Sequence, residues 1–145
     1  MKSRKLLSLI APLALLACAE TAAAARLMVT KTAACGCCRE WVEHMRKAGF
    51  DVHVRDVEDV TPTARKLGVP DRLRSCHTSQ IAGYAIEGHV PAADVKRLLA
   101  IKPKAAGIAV PGMVAGSPGM EVGHSQRYKV LLFDKSGKTR VFATH

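Results

Sequence analysis

Aromatic side chains are scarce in this chain. One Trp, two Tyr and three Phe make up 4% of 145 residues. Single-stranded nucleic acid is held by stacking aromatics interleaved with a basic stripe. Here the aromatics are few and the Lys and Arg residues are scattered, so nucleic acid is not an expected partner. Acidic residues are also few: 12 Asp and Glu stand against 22 Lys and Arg, a formal net charge of +10. Such a surplus gives a well-solvated basic surface that can adhere to anionic lipid or acidic partners. No apolar run reaches the roughly 20 residues of a membrane-spanning helix. The best candidate, Leu6 to Ala19, is broken by Ser8 and Pro12.

What is present begins with a leader. Lys2, Arg4 and Lys5 precede that apolar run, and Ala22 to Ala25 offer small residues for cleavage before Arg26. This is the order of a secretory signal peptide over 1–25, and it places the mature chain, 26–145, in the periplasm. A rival reading takes Leu15-Leu16-Ala17-Cys18 as a lipoprotein processing site, with Cys18 lipidated. Under either reading Cys18 leaves the thiol chemistry. Removing Lys2, Arg4, Lys5 and Glu20 turns 22 − 12 = +10 into 19 − 11 = +8. The mature chain has single-domain length and no expected transmembrane segment.

Hydrophobic periodicity then orders the elements. Arg26 to Thr30 reads as a short strand. Trp41, Met45 and Ala48 form one apolar stripe on a helix over Arg39 to Ala48, ended by Gly49. Asp51 to Val57 alternates as a second strand, completing a βαβ unit. Thr61 and Pro62 are expected as N-cap and first residue of a short helix. Ile81 to Glu87 is a strand candidate. Pro91 opens a helix over Ala92 to Ala100. Lys104 to Ser125 is rich in Gly, Pro and Ala and carries Pro-Gly-Met twice, at 111–113 and 118–120, so it reads as an ordered loop. Tyr128 to Phe133 and Thr139 to Ala143 flank the turn Asp134-Lys135-Ser136-Gly137, a terminal β-hairpin.

The chemistry concentrates in Cys35-Gly36-Cys37-Cys38, at the turn between the first strand and the first helix. Unpaired N–H groups and the positive end of a helix stabilise thiolate, the nucleophile of disulfide chemistry and the preferred ligand of soft metals. Cys35 and Cys38 form a C-x-x-C pair in a βαβ unit, a thioredoxin-like pattern. Two features oppose a simple thiol–disulfide oxidoreductase. Cys37 adds a competing third thiol. Thioredoxin-like enzymes also carry a cis-proline before the strand facing their cysteines, whereas Ser75-Cys76-His77-Thr78 precedes Ile81 here. Pro118 is the alternative source of that proline. In such a fold Cys76 is aimed at the cysteine turn, and four converging sulfurs make a soft-metal site. A disulfide from Cys76 to one of the other three remains the competing structural reading. Zinc is the competing metal, but adjacent Cys37 and Cys38 suit a low-coordinate or multinuclear Cu(I)–thiolate cluster better. Met113 and Met120 are soft donors for Cu(I), or core fillers. His77 is a neighbouring candidate whose side chain alternates away from Cys76. His124 is a loop histidine. His44 falls on the polar face of its helix, and His53, His89 and His145 show no local metal pattern.

The succession CGCC, Cys-His, Gly-Tyr-x-Ile-Glu-Gly-His-Val-Pro, Val-Pro-Gly-Met and Gly-Ser-Pro-Gly-Met-Glu resembles CopG-type periplasmic metal-binding proteins of bacterial copper-resistance loci. The resemblance covers nearly all of the mature chain. It implies an α/β, thioredoxin-like single domain that binds copper at Cys35, Cys37, Cys38 and Cys76, with His77, Met113 and Met120 in motifs of the same family. It implies a role in copper resistance beside other periplasmic copper-handling proteins. Copper- or thiol-linked oxidoreductase activity is the enzymatic extension of that reading, and a thiol–disulfide oxidoreductase of the cell envelope is the alternative.

Overall fold

Val29, buried on the first strand, and Trp41, Val42 and Met45 on the following helix pack in one apolar cluster. The structure, a computed structural model, describes residues 25–145. The proposed signal peptide as far as residue 24, Cys18 included, lies outside the described residues. The elements run β1 (Leu27–Thr32), α1 (Gly36–Lys47), β2 (Val52–Val57), α2 (Thr61–Lys66), a 3-10 turn (Asp71–Leu73), β3 (His77–Ile81), β4 (Tyr84–Glu87), α3 (Ala92–Ile101), β5 (Gly107–Ala109), β6 (Lys129–Phe133) and β7 (Thr139–Thr144). They form one mixed seven-stranded sheet in the order β2-β1-β3-β4-β5-β6-β7. β1 is parallel to β2 and antiparallel to β3. β4 is parallel to β5, and the remaining pairs are antiparallel.

The alternation of strand side chains sorts the core onto two faces. Ile86, Ile108 and Leu132 join α1 and α3 on one face. Their neighbours Ala85, Ala109 and Phe133 join Ala64 of α2 and Leu73 on the other. Helices thus cover both faces of the sheet, a layered α/β architecture.

Several expectations are corrected. α1 starts at Gly36, three residues earlier than its apolar stripe predicts. Cys35 takes the N-cap with extended backbone, and its Sγ accepts the Cys38 N–H at 3.3 Å. Cys37 and Cys38 therefore occupy the first helical turn. Thr61 lies inside α2, whose N-cap is Val60; the Thr61 N–H is held by Asp59 Oδ1 at 2.8 Å. The strand expected over 81–87 is a hairpin. Ala82 and Gly83 both have positive φ, 47° and 85°, and form its two-residue turn. Alanine is a rare occupant of that conformation, so the turn carries no Asn-Gly or Asp-Gly signal. All described peptide bonds are trans, that of Pro118 included.

The Gly/Pro/Met-rich segment supplies β5 and then folds back over α1. Gly119, at φ 83°, is pressed so close to the helix that an added Cβ would stand 2.7 Å from the Cys37 carbonyl oxygen and 2.8 Å from the Trp41 nitrogen. Gly119→Ala should therefore destabilise the domain. The left-handed backbone alone costs about 1–2 kcal/mol, and two backbone clashes add to it. Urea unfolding of the variant reads this, and an unchanged midpoint would contradict the close approach.

Candidate metal centre

Three elements bring the sulfur atoms together. The turn after β1 and the first turn of α1 carry Cys35, Cys37 and Cys38. β3, hydrogen-bonded beside β1, carries Cys76 at its entrance. The four sulfurs lie within 4.8 Å of one another. Cys37 Sγ is 3.5 Å from Cys35 Sγ and 3.9 Å from Cys76 Sγ. Cys38 Sγ is buried 3.5 Å from the Cys76 carbonyl oxygen. Cys35 and Cys38 are joined in a disulfide, while Cys37 and Cys76 are free and half-buried.

A histidine completes the cluster. The β3–β4 register pairs Ser79 with Ile86 and Thr78 with Glu87. Continued two steps beyond the ladder, it sets Cys76 opposite His89. His89 Nε2 lies 3.1 Å from Cys76 Sγ, and its Nδ1 donates to the Pro118 carbonyl oxygen at 2.8 Å. The carbonyl fixes the tautomer, leaving an Nε2 lone pair facing the Cys76 sulfur, the arrangement of a metal-ligating imidazole. His77 Nδ1 is 3.5 Å from Cys76 Sγ. Its ring is fully buried between Trp41, at 4.4 Å between centroids, and His89, at 5.0 Å. His77 Nε2 is buried without a hydrogen-bond partner among the described residues.

The electrostatics favour neutral rings and a protonated Cys76. Burial pushes the Cys76 thiol up to about 12, reinforced by the adjacent Cys37 sulfur. Burial pushes His77 down to about 3, with His89 adding to the effect, and burial also lowers His89. The first turn of α1 holds no acidic residue, so its positive end is unopposed. A soft cation bound here would meet sulfur donors and an oriented neutral imidazole, which matches the preference of Cu(I). It would displace the Cys76 proton on binding.

Glu87 braces the entrance of β3. This fully buried carboxyl accepts the Ser75 N–H at 2.8 Å and the Thr78 hydroxyl at 2.6 Å, gripping the chain on both sides of Cys76 and His77. Burial pushes Glu87 up to about 7.

Two solved structures resemble the chain over this whole region. Both are named as a copper resistance protein copG, in forms 2 and 1, with TM-scores of 0.79 and 0.78. Each is 41% identical and covers 83% of this chain; the match spans 98% and 96% of those chains. The chain belongs to the CopG family. A family described as a protein of unknown function, DUF411, also matches residues 73–120 of this CopG-type chain, which include Cys76, His77 and His89. No match is found among curated proteins.

Of the residues singled out by sequence, Cys35, Cys37, Cys38 and Cys76 converge, and His77 joins Cys76 and His89 in an adjoining group. Met120 follows Gly119 and is carried by the backbone to the first turn of α1. Met113 sits on a turn tied to Arg74 and Ser75, and its side chain is 54% exposed. His124 is exposed. His44 is half-buried, with Nε2 3.4 Å from the Ala92 nitrogen at the start of α3, so it is not a free surface residue. His89 is the residue that sequence reasoning missed. The CopG-type Gly-His-Val-Pro motif contains it, but only the hairpin register points it at Cys76.

Glu87 and the buried histidines give the metal-free protein a characteristic pH response. Between pH 4.5 and 7 folded Glu87 keeps a proton that the unfolded chain has lost, so its contribution falls as pH rises. Between pH 3 and 6.5 the unfolded chain binds a proton that folded His77 refuses, so that contribution falls as pH falls. The two slopes oppose each other between pH 4.5 and 6.5. Glu87→Gln removes the first, and urea unfolding should show the variant's stability rising with pH more steeply than wild type, by up to about 1.4 kcal/mol per pH unit. Parallel pH profiles would contradict the assignment.

Proposed function

We propose that this chain is an exported, periplasmic copper-binding protein of copper resistance, holding Cu(I) at Cys35, Cys37, Cys38 and Cys76. The observation that carries the reading is the convergence of four sulfurs within 4.8 Å, with His89 Nε2 beside one of them, that of Cys76. The copper-resistance names of the 41%-identical structures support the choice of metal. His77, Met113 and Met120 are the outer candidates, and His89 joins Cys76 as a ligand. The basic leader and alanine-rich cleavage region over 1–25 support export, and no described helix is long and apolar enough to cross a membrane. The βαβ unit with Cys35 and Cys38 at its first turn supports a thioredoxin-like reading of the fold. Other periplasmic copper-handling proteins are the partners of such a role.

A thiol–disulfide role has its own support in the Cys35–Cys38 disulfide. Cys76 occupies the position where a thioredoxin-like oxidoreductase carries proline, and Cys37 competes with simple exchange. We therefore place redox chemistry second, coupled to copper: the sulfurs that bind Cu(I) are those that a disulfide consumes.

Reduced protein offered an equimolar Cu(I)/Zn(II) mixture under anaerobic conditions should retain copper. Retention of zinc would replace the soft-cluster reading with a structural site. Cys76→Ser should weaken Cu(I) binding by on the order of a few kcal/mol, given the total strength of thiolate sites. A Cu(I)-chelator competition reads this, and unchanged affinity would place Cys76 outside the site.

A further inference from the structure

The four cluster cysteines are not equivalent. Cys35 and Cys38 are already joined. Cys37 and Cys76 are left as a facing pair of half-buried thiols from separate elements, their sulfurs 3.9 Å apart. We propose that Cys37 and Cys76 are a second redox pair, closing to a disulfide while Cys35–Cys38 stays closed. The site then has three oxidation levels, with four, two or no free thiols.

Geometry selects this pairing. Closure needs the sulfurs to approach from 3.9 Å to about 2.05 Å. Cys37 sits in the first turn of α1 and Cys76 at the entrance of β3, so the bond would cross between elements that β1 already holds together. A bond between adjacent Cys37 and Cys38 would need strained bridge geometry. Pairing Cys35 with Cys37 would first require opening Cys35–Cys38.

A low-molecular-weight disulfide, RSSR, is a sufficient oxidant. Cys37 sulfur attacks one sulfur of RSSR, forming a mixed disulfide and releasing the first RSH with the Cys37 proton. Cys76 sulfur then attacks the Cys37 sulfur, forming Cys37–Cys76 and releasing the second RSH with the Cys76 proton. Two protein thiols are oxidised and one RSSR is reduced to two RSH. A small dithiol reverses the sequence.

This inference rests on the four-sulfur metal reading and adds its regulation. The doubly oxidised state offers no thiolate to a soft metal, whereas the fully reduced state offers four. Release of bound Cu(I) would thus follow oxidation of the second pair.

Disulfide mapping tests the pairing without metal. Metal-free protein is titrated anaerobically with oxidised glutathione, alkylated and digested with trypsin. Thr32–Arg39 carries Cys35, Cys37 and Cys38, and Ser75–Lys96 carries Cys76. Doubly oxidised protein should yield these two peptides cross-linked, four hydrogens lighter than their reduced sum. Cys37→Ser and Cys76→Ser should each abolish the cross-link, and dithiothreitol should restore four alkylatable thiols in these peptides. Cu(I) binding should fall at least tenfold in the doubly oxidised form. Cys37 and Cys76 both alkylated at full oxidation would overturn the proposal. So would a cross-link that survives Cys37→Ser, or intermolecular dimers through Cys37. A missing cross-link in protein that binds Cu(I) when reduced defeats only the second pair. A reduced protein that fails to bind Cu(I) but forms the cross-link defeats only the metal reading.

Discussion

Cys76 meets the first turn of α1 because β3 runs antiparallel beside β1, and that adjacency is the constraint on which the site depends. β1 leads directly into the Cys35 N-cap, so whatever stands at the start of β3 must face the CGCC turn. The β3–β4 hairpin then carries the chain back, and its register sets His89 across from Cys76. Two backbone groups lock the result. The Pro118 carbonyl holds the His89 ring, and Gly119 lets the same loop lie against the Cys37 and Trp41 backbone. A cluster assembled from three separated stretches of chain, 35–38, 76–77 and 89, is therefore positioned by main-chain pairing and held by the loop at 118–119.

Burial adds the second level of control. The clustered cysteines and histidines sit at the edge of a closed apolar core, where Trp41 packs on His77 and donates its indole N–H to the Val90 carbonyl at 2.9 Å. Both histidines are held neutral and Cys76 is held protonated by desolvation. A hard, strongly hydrated cation finds little oxygen here, whereas a soft one finds polarizable sulfur and an oriented imidazole. The cost of keeping His77 Nε2 buried and unpartnered falls on the fold, and functional sites are where such local conflicts concentrate.

The elements carrying strong periodicity were legible in the sequence. The α1 stripe of Trp41, Met45 and Ala48, the Pro91-opened α3 and the terminal hairpin across Asp134–Gly137 all stand where the pattern puts them. So does Cys76 relative to the CGCC turn. β3 was hidden because His77-Thr78-Ser79-Gln80 is polar, yet His77, Thr78 and Ser79 are buried in a mid-sheet strand that is paired on both sides and braced by Glu87. β5 was hidden because three small or single apolar residues, Gly107-Ile108-Ala109, give no period to read. His89 followed from β3. With the turn placed at Ala82-Gly83 the register would have named it, but positive φ at an alanine has no sequence signature.

The convergence of Cys76 and His89 on the CGCC turn is tested most directly by X-ray absorption at the copper edge of anaerobically reduced, Cu(I)-loaded protein. A sulfur-dominated shell with an imidazole nitrogen component is the expected result. Cys76→Ser should lower the sulfur count per copper, and His89→Gln should remove the nitrogen component while leaving the sulfur shell in place. A wild-type spectrum unchanged by either substitution would mean that the CGCC turn binds copper without the residues that the β3–β4 hairpin delivers to it.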